Sequence, residues 1–232
     1  MAAAVAVTLC AAPGRTASAA PAGPSFLLFA GTDLWRYGAF LYGGTLWSPA
    51  GLDADGFTLK LLVNGGGYSY NSSDLLTDVH GTMLSGAALP GWRFVRSNLT
   101  VSVFAGPIVQ DYRLSPYDPG SRLHGLYAGG QVATDIWYQP TANIMAAVNG
   151  SFVSIGPTGY LRGALGYRVF DAMFLGPETA MLWCANFQQL EVGVHVTGLH
   201  FGGIEWSGAG GWSMDSERRN SPYLRLGVST KF

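Results

Sequence analysis

Residues 189–197 read Gln-Leu-Glu-Val-Gly-Val-His-Val-Thr, and residues 223–232 read Tyr-Leu-Arg-Leu-Gly-Val-Ser-Thr-Lys-Phe. In the second segment Leu224, Leu226, Val228, Thr230 and Phe232 fall on one face, and Tyr223, Arg225, Gly227, Ser229 and Lys231 on the other. In the first, Leu190, Val192, Val194 and Val196 alternate with Gln189, Glu191, Gly193, His195 and Thr197. Between them Ile204, Trp206 and Trp212 alternate with Glu205, Ser207 and Gly211. A period of two belongs to a strand and not to a helix. Each segment is about ten residues long, near the ~9–11 residues with which a tilted strand crosses a bilayer. The pattern predicts an all-β fold, a transmembrane antiparallel up-and-down β-barrel whose last strand ends at a membrane interface.

Composition agrees with this reading. Charged residues make up 12% of the 232, about half the ~25% of an ordinary globular chain. Aromatic residues are 13%, and there are 33 glycines, a mixture suited to many strands, tight turns and interfacial girdles. The net charge of −1 gives no basic excess with which to hold nucleic acid. Residues 1–20 are expected to be a signal peptide. An apolar run from Ala2 to Ala12 precedes Ala17-Ser18-Ala19, a small-residue cleavage pattern that places the cut near Ala19/Ala20, although the run lacks a leading Lys or Arg. Residues 21–232 are then one outer-membrane barrel domain. Only Cys184 remains in that domain, so an intrachain disulfide is excluded.

Reading the chain in order gives about twelve strands. The turns fall at Arg36-Tyr37-Gly38, at Ser48–Gly56, around Asn71, at Ala88-Leu89-Pro90-Gly91 and at Gln139-Pro140-Thr141, and an irregular stretch runs from Gly106 to Leu123. An even count places both termini at one end. The Asp53-Ala-Asp-Gly56 segment has the start of a calcium loop but lacks its downstream Glu, and it reads as turn chemistry.

With the apolar face given to lipid, the other face collects charges of both signs. The residues expected to face the lumen are Asp33, Lys60, Arg96, Asp135, Arg162, Arg168, Glu178, Glu191, His195, Glu205, Arg225 and Lys231. They would either tie the wall together through ion pairs or line a polar path for a hydrophilic solute. The seven tryptophans lie mostly near segment ends, where interfacial girdles sit. Lipid-hydrolysing barrels need a serine–histidine pair. His80 and Ser85, five apart, fall on opposite faces, His195 shares a face with Glu191 but has no serine elbow, and His195 and Glu205 are candidates for a contact across adjacent strands. No catalytic residue, metal cluster or cofactor site emerges.

Several short stretches resemble the cellulose biosynthesis protein BcsS family of alphaproteobacteria. They are Gly31-Thr-Asp-Leu-Trp35, Gly51-Leu-Asp-Ala-Asp-Gly-Phe57, Leu114-Ser-Pro-Tyr-Asp-Pro119, Leu175-Gly-Pro-Glu178, His195-Val-Thr-Gly-Leu199 and Glu205-Trp-Ser207, spread over most of the chain. The resemblance implies a bacterial outer-membrane barrel accessory to cellulose synthesis or secretion. Its partners would be outer-membrane lipid, glucan and other components of the cellulose-synthesis machinery. It implies no catalytic residues. A general small-solute channel and a lipid-modifying barrel enzyme are the competing functions.

Overall fold

The computed structural model describes residues 23–72, 74–185 and 187–232; the expected signal peptide lies outside them. Twelve strands follow one another: β1 (Phe26–Trp35), β2 (Gly38–Trp47), β3 (Gly56–Ser72), β4 (Thr77–Arg96), β5 (Leu99–Ser115), β6 (Gly125–Thr141), β7 (Ile144–Val153), β8 (Thr158–Val169), β9 (Met173–Cys184), β10 (Phe187–Phe201), β11 (Ile204–Asp215) and β12 (Asn220–Lys231). Each pairs antiparallel with its neighbours in sequence, and β1 closes on β12 from Leu27↔Lys231 to Trp35↔Tyr223. Closure leaves no strand edge unpaired, which is what the hydrocarbon core demands of a spanning sheet.

The two faces separate as the alternation requires. Leu41, Val63, Leu84, Val132, Leu165 and Val194 lie on the outward row and are each more than half exposed, in a belt that continues around the barrel. So much exposed aliphatic surface is matched to lipid and not to water. Near the end that holds the termini, outward aromatic rings touch in succession. Phe232 stacks on Phe26, Phe26 on Trp47, and Trp47 meets Phe57 edge-on, while Trp92 pairs with Phe57 across β3 and β4. That is an interfacial girdle. Not every tryptophan joins a girdle: Trp35 and Trp137 have the inward parity of Asp33 and Asp135.

Strands β3 to β6 run longer than the sequence pattern suggests, and two expected turns are strand. Ala88-Leu89-Pro90-Gly91 lies inside β4, and most of Gly106 to Leu123 belongs to β5. Proline lacks the N–H a ladder needs, and the β4–β5 pairing steps over Pro90 and Pro107, stopping at Gly91↔Phe104 and resuming at Ala87↔Ile108. Both strands survive because their other edges stay paired, Pro90 with Leu59 and Pro107 with Gly130. Residues 139–141 also stay within β6, which carries a bulge between Tyr138 and Thr141.

Apolar clusters pack inside the barrel near both ends. At the terminal end the loop of residues 48–55 folds inward instead of making a minimal turn. Leu52, 2% exposed, packs with Leu46, Leu89 and Phe104. The Leu52 N–H donates to the Pro24 carbonyl at 2.8 Å, and Arg93 Nε donates to the Leu52 carbonyl at 2.7 Å. At the opposite end Ile155, from the loop between β7 and β8, packs with Ile108, Tyr112 and Val153.

Candidate functional site

Alternation delivers charged side chains from seven strands to one interior level, where they join. Arg225 on β12 is the centre. Its Nη1 donates to Glu178 Oε1 on β9 at 2.6 Å, its Nη2 to Glu191 Oε2 on β10 at 2.8 Å, and its Nε to Asp33 on β1. Its side chain is 10% exposed and that of Glu178 0%. Guanidinium is suited to this task because its planar fork stays charged and satisfies several carboxylates at once. Tyr223 Oη also donates to Glu178.

The network continues around the wall. Arg162 Nε donates to Glu178 Oε2 at 2.6 Å, and Arg162 Nη1 to Asn149 Oδ1 at 3.2 Å. Asn149 Nδ2 donates to Asp135 Oδ1 at 3.0 Å, and Lys60 on β3 pairs with Asp135 on β6. Gln189 Nε2 bridges Glu191 and Ser213. Two of these ties span the lumen instead of following the wall: Lys60 to Asp135, with β4 and β5 between their strands, and Arg225 to Glu178, with β10 and β11 between. Lys60 Nζ also lies 4.6 Å from the centre of the Phe104 ring, joining the charged level to the apolar plug beneath it.

Of the residues singled out in the sequence, Asp33, Lys60, Asp135, Arg162, Glu178, Glu191 and Arg225 are thus brought together. His195 is buried nearby with Nε2 3.0 Å from the Leu165 carbonyl oxygen, outside the ion-pair chain. Arg168, Glu205 and Lys231 stand at the terminal rim. Arg168 Nε donates to the Ala142 carbonyl, and its guanidinium covers the Phe174 ring at 4.6 Å. Glu205 is opposite His200, with His195 opposite Ala209, so the expected Glu205–His195 contact is replaced by a Glu205–His200 approach of 3.8 Å.

Arg96 is a correction. It has the parity of Trp92 and Phe94 on the outward row, and it binds Asp55 of the plug loop at the rim, exposed to solvent. The alternation of Val95/Arg96 runs on through residues 97–98 without a break. The hairpin there pairs Arg96 with Leu99, so even positions of β4 face the same way as odd positions of β5. Asn149, Gln189 and Tyr223 are members that charge alone does not mark; each shows only as a polar or amphipathic residue at an inward step.

A serine–histidine contact does exist, at 2.8 Å between Ser69 Oγ and His80 Nδ1, on the exposed outward wall and away from Ser85, whose hydroxyl donates to the Asn64 carbonyl. Among the described residues no acid accepts from His80 Nε2, so the pair lacks the orienting third member of a hydrolytic triad. Nor do three metal-ligating side chains converge among the described residues.

At the end away from the termini the loop of residues 116–124 turns back over the mouth. Tyr70 Oη donates to Asp118 Oδ2 at 2.8 Å, and the Gly120 N–H donates to Asp118 Oδ1 at 3.0 Å. The Tyr70 hydroxyl, with the Gly120 N–H, holds the Asp118 carboxyl below its ordinary 3.8. A depressed carboxylate contributes stability that is complete above the ordinary value and is lost as pH falls through the folded one. Protease sensitivity of this loop is therefore expected to be constant from pH 7 to about 5 and to rise only as the pH falls below the ordinary carboxyl value of 3.8; Asp118→Asn should make the loop sensitive throughout.

The fold and its packed interior define a β-barrel of the outer-membrane class with a braced lumen. The model of the cellulose biosynthesis protein BcsS family matches residues 27–232, and the chain belongs to that family, which gives it a role in cellulose biosynthesis. Among solved structures, the transport unit of the autotransporter AIDA-I from Escherichia coli superposes with a TM-score of 0.51 at 8% identity, over 90% of each chain. The beta domain of the Bordetella autotransporter BrkA gives 0.50 at 10% identity, over 90% of this chain and 99% of that one. The deltaS2S3 mutant of TodX, a monoaromatic hydrocarbon channel, gives 0.50 at 9% identity, over 91% of each chain. These likenesses concern the fold alone. No curated protein matches the sequence.

Proposed function

We propose that the protein is a non-enzymatic outer-membrane accessory of cellulose biosynthesis that supports glucan secretion from a braced barrel, without serving as an open conduit for the chain. The observation carrying this reading is Arg225, which joins β12 to β1, β9 and β10 through three carboxylates. A barrel of twelve strands is wide enough to hold an aqueous path, yet here ion pairs cut across the interior level and Leu52 narrows the terminal mouth on the side of β2, β4 and β5. The termini are assigned to the periplasm, because that end carries mostly two- and three-residue turns and the opposite end carries the long loop over the mouth. The Ser69–His80 pair, lacking its third member, favours no hydrolytic reading.

Two measurements test this. The native protein should fractionate with the outer membrane and shift in gel mobility on boiling, and in planar bilayers it should conduct little. Deletion should lower the cellulose deposited at the cell surface while glucan synthesis by isolated inner membranes is unchanged. Unchanged surface cellulose in the deletion strain would refute the role in secretion, and large stable conductance would replace the braced barrel with a channel.

A further inference from the structure

One wall of the mouth opposite the termini carries aromatic rings that neither the girdle nor the ion-pair network uses. Trp35, Phe40, Tyr68 and Tyr70 come from β1, β2 and β3 on the inward parity, and each keeps part of its surface open. Their planes are nearly parallel in succession. Trp35 and Phe40 lie 5.8 Å apart at 7°, Phe40 and Tyr68 6.4 Å apart at 12°, and Tyr68 and Tyr70 6.2 Å apart at 23°.

Glycines on the adjoining strands let these rings recline. A Cβ at Gly38 would come within 2.3 to 2.8 Å of three Trp35 ring atoms, and one at Gly81 within 2.4 to 2.7 Å of three Tyr68 atoms. Both glycines stand directly opposite these rings in the ladder, Trp35↔Gly38 and Tyr68↔Gly81. The Trp35 and Tyr68 rings therefore lie over these glycines, against the wall. Packing alone explains a ring filling the space over one glycine. It does not explain a run of rings across three strands in one orientation with their faces left partly open.

We propose that this aromatic run is a saccharide track that binds a flat, β-linked glucan at the outer mouth of the barrel. In such a chain the ring hydroxyls are equatorial, so both faces of every sugar present apolar C–H groups that stack on aromatic planes, while the hydroxyl edges stay hydrated. The near-parallel planes suit a ribbon of this shape and not the curved coil of an α-linked glucan. The choice of glucan rests on the proposed function; the shape of the ligand rests on the rings. The track gives the braced barrel a way to hold emerging chain without passing it through the lumen.

The test uses the purified full barrel in detergent micelles with cellohexaose and maltohexaose as probes, read by calorimetry. Saturable binding of cellohexaose, at least tenfold weaker for maltohexaose, is expected. Tyr68→Leu and Trp35→Leu should each weaken cellohexaose at least tenfold, whereas Tyr68→Phe, which keeps the face, should bind as the native protein does. Gly81→Ala, whose Cβ would meet the Tyr68 side chain first, should lift that ring and weaken binding with Tyr68 still present. Each variant is scored only when its heat-modifiable gel shift is native.

Absence of cellohexaose binding, or binding that Tyr68→Leu and Trp35→Leu leave unchanged, overturns the track. If the deletion strain loses surface cellulose while the variants with altered rings keep it and purified barrel ignores the probe, the accessory role stands and the track falls. If the barrel binds cellohexaose through these rings while deletion leaves cellulose untouched, the track stands and the accessory role falls.

Discussion

Arg225→Gln will destabilise the barrel and open its lumen. The substitution leaves Asp33, Glu178 and Glu191 facing one another without the cation that joins them, and Glu178 is fully buried. Removing one member of a buried ion pair typically costs about 3–5 kcal/mol, because the orphaned charges stay desolvated. The temperature at which the folded band converts to the unfolded one on an unboiled gel should fall markedly. In planar bilayers the variant should conduct where the native barrel does not, with preference for cations, since the freed carboxylates then face the path. The triple variant Arg225→Gln, Glu178→Gln, Glu191→Gln should recover only part of the stability, because the amides remove two of the orphaned carboxylates while Asp33 and Arg162 each lose a charged partner. If Arg225→Gln matched the native protein in both melting and conductance, the network would be an incidental lining and not a brace.

The partners of Arg225 mark the limit of what the sequence discloses. Its inward position in β12 is legible, because Leu224 and Leu226 flank it with lipid-facing residues. The same parity rule puts Asp33, Lys60, Asp135, Arg162, Glu178 and Glu191 on the inward row. Which of these meet is decided by barrel curvature and stagger. Alternation fixes a residue's face, but not its height or its partner across the lumen, so Lys60 reaching Asp135 over two intervening strands leaves no local trace. Turn chemistry misleads in the opposite direction. Leu89-Pro90-Gly91 has the composition of a turn, but Pro90 loses hydrogen bonding on one edge while the other edge holds β4 straight. Arg96 shows a third limit, because alternation running through a two-residue hairpin disguises the reversal of parity. Leu52 is a fourth: an apolar residue in a polar loop has no period to betray that the loop folds inward.

Val194→Lys tests the other face. Val194 is 59% exposed on the outward row of β10 and lies opposite Gly210 on β11 and Pro177 on β9. Its immediate neighbours along that row, Val192 and Val196, offer a cation no partner. A lysine near the midplane of a lipid-facing wall costs about 2–4 kcal/mol, falling toward ~0–1 near the interfaces where the ammonium can reach water. The change leaves the lumen untouched, so its expected effect is on insertion: less folded band after assembly into vesicles, recovered in part when the bilayer is thinner and the ammonium reaches the headgroups. Arg225→Gln should respond differently, since its defect lies inside the wall and bilayer thickness does not relieve it. The contrast separates the two faces by mechanism. Should Val194→Lys insert normally and instead change conductance, the outward and inward rows of β10 would have to be exchanged, and with them the placement of Glu191 in the lumen.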